Sequence, residues 1–271
     1  MSDERDSAPV TVASLRELKA RGGRFACLTA YDATFAALEE QAGVEVLLVG
    51  DSLGMVIQGR ETTLPVTVED MIYHCACVAR GRRRALIMAD LPFMSDLTPQ
   101  RALEDGARLM KEGGAHVIKI EGGGEMAETV SLLSRRGIPV CAHLGLQPQS
   151  VHKLGGYPVQ GRDPEAARRI VEGARRLCEA GADLLLLECV PAALAREVST
   201  NVPVPVIGIG AGPDCDGQVL VVYDMLGITP GRRPRFVKDF LAQEGSIPAA
   251  LSAYVREVKA GSFPGPEHGF R

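Results

Sequence analysis

Short apolar runs, each closed by a glycine or a charge, recur along the chain at 25–32 (FACLTAYD), 46–52 (VLLVGDS), 85–90 (ALIMAD), 116–123 (HVIKIEGG), 140–145 (VCAHLG), 184–189 (LLLLEC) and 206–212 (VIGIGAG). Near-continuous hydrophobicity over so few residues predicts parallel strands buried on both faces. Between them, at 68–81, 99–114, 163–181 and 191–200, apolar residues return every three or four positions, which predicts amphipathic helices. Thr98 before Pro99 and Asp163 before Pro164 each pair a capping side chain with proline at the first helical position, and Gly81, Gly113 and Gly181 are placed to end helices. Seven strand-then-helix units and an eighth candidate strand at 218–222 (QVLVV) predict a parallel (β/α)8 TIM barrel. The rival is an open doubly wound sheet, whose dinucleotide-binding form opens with a G-x-G-x-x-G turn, whereas the first strand here runs into Thr29-Ala30-Tyr31-Asp32. The glycine-rich 208–212 segment follows the seventh strand, where barrels often hold a phosphate or a substrate carboxylate; a tight turn explains it equally well.

The 271 residues suit one such barrel, so the chain reads as a single domain over 1–271, with tails or contact arms at 1–10 and 261–271. A net charge of -4 with both signs mixed leaves no basic stripe for nucleic acid. No apolar run approaches the roughly 20 residues of a membrane span, and 1–10 is polar and acidic, unlike a signal peptide. These features predict a cytoplasmic protein without membrane or nucleic-acid partners. Seven cysteines without a CxxC pair fit a reducing compartment. Cys141 and His143 alternate on one strand as a candidate zinc pair, but with no second pair in view a buried structural cysteine is the better reading.

Barrel active sites lie at the C-terminal ends of the strands. There the chain is acidic: Asp51, Asp90, Glu121 and Glu188 each follow a buried apolar stretch, where a carboxylate is costly without a partner. Any one of them alone reads as a helix cap or a solvated loop charge. Together around one mouth they repel, with Lys119 as a single fixed positive charge, and the set asks for a hard cation such as Mg²⁺. Strand alternation puts Lys119 and Glu121 on the face opposite Ile118 and Ile120. Lys119 then meets a substrate carboxylate or enolate oxygen, forms a structural ion pair with Glu121, or snorkels to solvent. His143, which closes the fifth strand, is either a hydrogen-bonded structural histidine or a substrate ligand. Gln147, Gln149 and Ser150 are expected over the same mouth; His152 and the loop 153–162 either close over a ligand or form plain surface.

Eight segments, TAYD (29–32), VGDSLGMVIQG (49–59), TLPVTVEDM (63–71), ADLPFM (89–94), VIKIEGG (117–123), HLGLQPQSV (143–151), LLECVP (186–191) and GIGAGPDCDGQVLV (208–221), are similar, in this order, to those of the ketopantoate hydroxymethyltransferase family. The resemblance covers almost the whole chain, and several long motifs together make it specific. It implies transfer of a one-carbon unit from 5,10-methylenetetrahydrofolate to 3-methyl-2-oxobutanoate, giving 2-dehydropantoate in pantothenate biosynthesis, with magnesium as the metal. By motif position it implies that Asp51, Asp90 and Glu121 hold or surround the ion. Asp51, Ser52, Asp90, Lys119 and His143 become substrate-binding candidates, and Glu188 the general base. It also implies a homo-oligomer, typically a decamer. No local motif identifies a folate-binding residue.

Two rival functions remain. A metal-dependent 2-oxo acid lyase of the phosphoenolpyruvate mutase and isocitrate lyase type resembles this family in barrel, metal and chemistry, but usually carries a K-x-C-G-H loop that this chain lacks. A non-catalytic barrel that only binds a metabolite is disfavoured by the charged strand ends.

Overall fold

The structure, a computed structural model, describes residues 8–231 and 233–271. Eight parallel strands, β1 (Phe25–Thr29), β2 (Val46–Val49), β3 (Leu86–Asp90), β4 (Val117–Glu121), β5 (Val140–Gly145), β6 (Leu184–Glu188), β7 (Val206–Ile209) and β8 (Gly217–Leu220), close into a barrel in sequence order. The (β/α)8 expectation holds, with all eight strands where the apolar runs stand. The eighth starts one residue earlier than its run, because Gly217 pairs with Phe25 of β1 and lies where a Cβ would meet the Phe25 ring.

The period of two along each strand divides the core. Outward residues such as Leu28, Leu47, Ile87, Ile118, Leu144, Leu185 and Val206 pack beneath the helices. Inward residues Phe25, Cys27, Val46, Leu48, Met88, Val117, Cys141, Leu186 and Ile207 fill the barrel. Cys141 therefore serves as a small hydrophobe: its thiol is pushed up to about 12, chiefly by burial, and it lies below His143 on the same strand face.

Helices Val68–Gly81, Pro99–Lys111, Pro164–Glu179 and Ala192–Asn201 form at the predicted places. Thr98 accepts from the Arg101 N–H and Asp163 from the Ala166 N–H. Gly181 adopts φ +106 just past its helix, as a helix stop requires. Gly81 is the last residue of its helix, as expected, and is glycine because a Cβ there would run into the Ala33 carbonyl; at the other stop Gly114, not Gly113, takes the left-handed turn.

Both chain ends are fastened where they are described. Of the expected N-terminal tail, residues 1–7 lie outside the described residues, and the Val10 N–H donates to Arg84 O. Val12–Ala20, capped by Thr11 and Ser14, then places the fully buried Leu15 against the bottom of the barrel core. Helix Ile247–Ala260 covers the β1–β8 seam, where the Tyr254 hydroxyl reaches the carbonyls of Cys27 (2.9 Å) and Gln218 (2.7 Å). The segment 261–271 is a packed arm rather than a free tail. Phe263 is buried against Phe240 and Tyr254, and Phe270 bridges to Pro191. Among the described residues no helix is long and apolar enough to cross a membrane.

Candidate active site

At the top of the barrel the inward rows change from apolar to polar. Phe25 and Cys27 give way to Thr29, Leu86 and Met88 to Asp90, Val117 to Lys119 and Glu121, Cys141 to His143, and Leu184 and Leu186 to Glu188. Asp51 and Ser52 follow β2 through Gly50, a position where a Cβ would come within 2.7 Å of Ser52 Oγ. All seven predicted site residues, Asp51, Ser52, Asp90, Lys119, Glu121, His143 and Glu188, line one cavity of about 570 Å³.

The floor of this cavity is a connected network. Lys119 Nζ donates to Asp90 Oδ1 at 2.6 Å, and the other Asp90 oxygen accepts from the Asp51 N–H at 3.1 Å. Gln149 donates its side-chain amide to Asp51 Oδ2 (2.8 Å) and to the Leu91 carbonyl (2.9 Å), while its backbone N–H donates to Glu121 Oε2 (3.0 Å). The Tyr31 hydroxyl and Ser52 Oγ lie 2.9 Å apart. Gln149 thus joins the site through its bonds to Asp51 and Glu121, although it, like Gln147, Ser150 and His152, lies outside the cavity lining; Tyr157 of the 153–162 loop is part of it.

Negative charge is in excess here. Burial, then the charges of Asp90 and Glu121, holds the Asp51 carboxyl well above its ordinary range. Burial alone would lower the Lys119 ammonium, but Asp90, Glu121 and Asp51 outweigh it and hold the lysine charged. Glu121 Oε1 is buried without a hydrogen-bond partner. Buried carboxylates that outnumber their cation, one with an orphaned oxygen, match a site for a hard divalent ion. No group of three Asp, Glu, His or Cys among the described residues is arranged to hold an ion alone. Such an ion would complete its shell from substrate and water, as magnesium commonly does.

His143 stands between two carboxylates, with Nε2 3.2 Å from Glu188 Oε2 and Nδ1 3.6 Å from Glu121 Oε1. These are attractive distances, but neither ring nitrogen has hydrogen-bond geometry. Burial and the Lys119 charge oppose the imidazolium; Glu121 and Glu188 prevail and bring its pKa up to about 9. Behind Glu188, Cys189 sits at φ +47, in the left-handed region that β-carbon-bearing residues rarely use. Its N–H donates to Ile209 O and its carbonyl accepts from the Gln160 N–H, which hold that turn. Gly145, opposite Glu188 in register, adopts φ +91 where a Cβ would strike the Glu188 carbonyl.

The outer wall of the cavity was not legible in the chain. Arg233, Arg235, Phe236 and Phe270 line it, although Phe270 is the penultimate residue. Phe236 and Phe270 each lay a ring edge against Gly210, so the glycine-rich segment after β7 makes room for two rings.

Residues 9–266 match the family model described as ketopantoate hydroxymethyltransferase. A protein of Alkalilimnicola ehrlichii named 3-methyl-2-oxobutanoate hydroxymethyltransferase is 62% identical over 262 residues, 97% of this chain and 95% of that protein. Among solved structures, phosphonopyruvate hydrolase in complex with oxalate and Mg²⁺ superposes with a TM-score of 0.62 at 16% identity, over 95% of this chain and 92% of the other. A 2,3-dimethylmalate lyase of the PEP mutase/isocitrate lyase superfamily does so with 0.57 at 18%, over 80% and 82%. At such identities the structural likeness speaks for the barrel alone, whereas the sequence match spans the strand ends that build the cavity. The chain belongs to the ketopantoate hydroxymethyltransferase family.

Proposed function

We propose that this protein transfers a hydroxymethyl group from 5,10-methylenetetrahydrofolate to 3-methyl-2-oxobutanoate, giving 2-dehydropantoate, the first step of pantothenate synthesis. The observation that carries this reading is one cavity holding a carboxylate, Glu188, beside a buried charged floor of Lys119, Asp90 and Asp51. Proton removal next to a ketone needs a base and a group that receives the developing oxyanion.

Lys119 presents its ammonium to the oxo acid's oxygens, with Ser52 as a hydroxyl partner. Glu188 takes the C3 proton, and His143, 3.2 Å away, offsets the negative charge around it. Asp51 and Asp90, with Glu121 beside them, would hold a magnesium ion, whose Lewis acidity would make the C3 proton easier to remove. The C3 carbon forms a C–C bond to the folate-borne methylene, the two C–N bonds that held it to N5 and N10 break, and water supplies the hydroxyl; the proton taken from C3 and one from water go to the two nitrogens, and tetrahydrofolate leaves. The same reading includes a homo-oligomer, decameric by family resemblance, which sedimentation of the purified chain tests.

The decisive experiment follows exchange of the C3 proton of 3-methyl-2-oxobutanoate in deuterated water by NMR, which needs no folate. Magnesium-dependent exchange is expected, reduced about a hundredfold or more in Glu188→Gln. Full exchange in that variant would remove Glu188 as the base. No exchange by folded, magnesium-loaded protein would remove enolisation altogether and turn attention to lyase substrates.

A further inference from the structure

The cavity is larger than its acidic floor requires. At about 570 Å³ it falls among pockets that enclose drug-sized ligands, whereas a small branched oxo acid needs only the region around Lys119. Beyond the floor the chemistry of the wall reverses, from carboxylates to Arg233, Arg235, Phe236 and Phe270.

This wall is built and held. A Cβ on Gly210 would stand 2.9 Å from the Phe236 ring and 3.1 Å from the Phe270 ring, so both rings rest where only glycine leaves space for them. The Ala192 N–H donates to the Phe270 carbonyl at 3.1 Å, and Pro191 bridges to Phe270, which ties the arm to the turn that carries Glu188. Arg235 lies 5.9 Å from the Phe270 ring centroid, and its Nε donates to the Glu267 carbonyl at 2.9 Å. That bond fixes the side chain while its two terminal nitrogens make no hydrogen bond among the described residues. Arg233 is steadied by Asp239 at 2.9 Å.

Resting on the function proposed above, we infer that this wall is the folate subsite. The Phe236–Phe270 pair stacks on the p-aminobenzoyl ring, and Arg235, with Arg233, receives the carboxylates of the glutamate tail. The polarity of the cavity sets the direction of entry. Lys119 at the floor is taken up by the oxo acid, and the basic rim attracts the dianionic tail, so the methylene-bearing end goes inward, toward the oxo acid. Aromatic faces and arginine forks are the side chains that ring systems and carboxylates favour.

Isothermal titration of the full chain with tetrahydrofolate and with tetrahydropteroate, the same molecule without glutamate, separates the two contacts. Arg235→Ala is expected to weaken tetrahydrofolate about tenfold or more and to leave tetrahydropteroate as in the unmodified protein. Phe270→Leu, which keeps an apolar side chain on the arm, is expected to weaken both ligands. Arg235→Ala binding both ligands normally, or losing both equally, would overturn the tail assignment; unchanged affinity in Phe270→Leu would overturn the stacking. Oxo acid proton exchange by the unmodified protein is measured alongside. Its failure would count against the proposed reaction, whereas failure of the ligand pattern with exchange intact would count against the subsite alone.

Discussion

Lys119 Nζ lies 2.6 Å from Asp90 Oδ1, between residues in direct register on neighbouring strands, with the two side chains only 6% and 5% exposed. Removing one partner of such a pair strands a buried charge, which costs about 3–5 kcal/mol. Lys119→Met is therefore expected to lose stability on that scale in urea unfolding. The double variant Lys119→Met/Asp90→Asn should recover much of the loss, because neither buried charge is then left alone. A loss in the double variant equal to the sum of the losses in Lys119→Met and Asp90→Asn would show that the pair is not coupled.

Magnesium should stabilise the folded chain by mass action, since the unfolded chain has no assembled acidic floor. At a hundredfold excess over its dissociation constant the gain is about 2.7 kcal/mol. Differential scanning calorimetry is expected to show Tm rising with magnesium, and a smaller rise in Asp51→Asn. A Tm indifferent to magnesium would count against an ion at the floor.

Gly145 positions Glu188 from behind. Its φ of +91 strains any side chain, and a Cβ would push on the Glu188 carbonyl and come within 2.8 Å of Val190 Cγ1. Gly145→Ala is expected to lower kcat for transfer by about tenfold or more with little change in the oxo acid KM, because a small displacement of a base costs rate more than binding. A rise in KM alone, at constant kcat, would place the effect in binding instead.

Glu39, on the helix Ala33–Ala42, is fully buried and neither carboxylate oxygen has a hydrogen-bond partner among the described residues. Burial, and then the charge of Asp32, holds its carboxyl well above the ordinary 4.5. A group that binds its proton more tightly when folded gives stability below pH 4.5 and loses it as pH rises toward the folded-state value. Glu39→Gln, which keeps the shape and cannot ionise, should match the unmodified protein near pH 4 and exceed it increasingly above that. Each tenfold of proton affinity gained on folding corresponds to about 1.4 kcal/mol. Parallel stability–pH curves for the two proteins would contradict this.

How far the chain could be read differs by range of interaction. Strand positions, helix caps at Thr98 and Asp163, and the acidic strand ends are written in runs of a few neighbours, so they were legible. Alternation alone placed Lys119 and Glu121 on the inner face. The same alternation could not tell Cys141 from His143, two residues apart on one inner row, because only the height of each layer in the closed barrel makes one a packing atom and the other a companion of Glu188.

The sequence by itself determined the eightfold parallel barrel, the family, and the set of charged side chains at its mouth, since periodicity and motif are properties of adjacent residues. Tertiary structure alone decided that the last residues form a wall of the cavity, that Gly210 is open for two rings, and that Gln149 joins Asp51 to Glu121. Phe270 meets Pro191, and Tyr254 meets Cys27, across long stretches of chain. Such contacts exist only once the barrel has closed, and no local pattern records which side chain will stand on the other side.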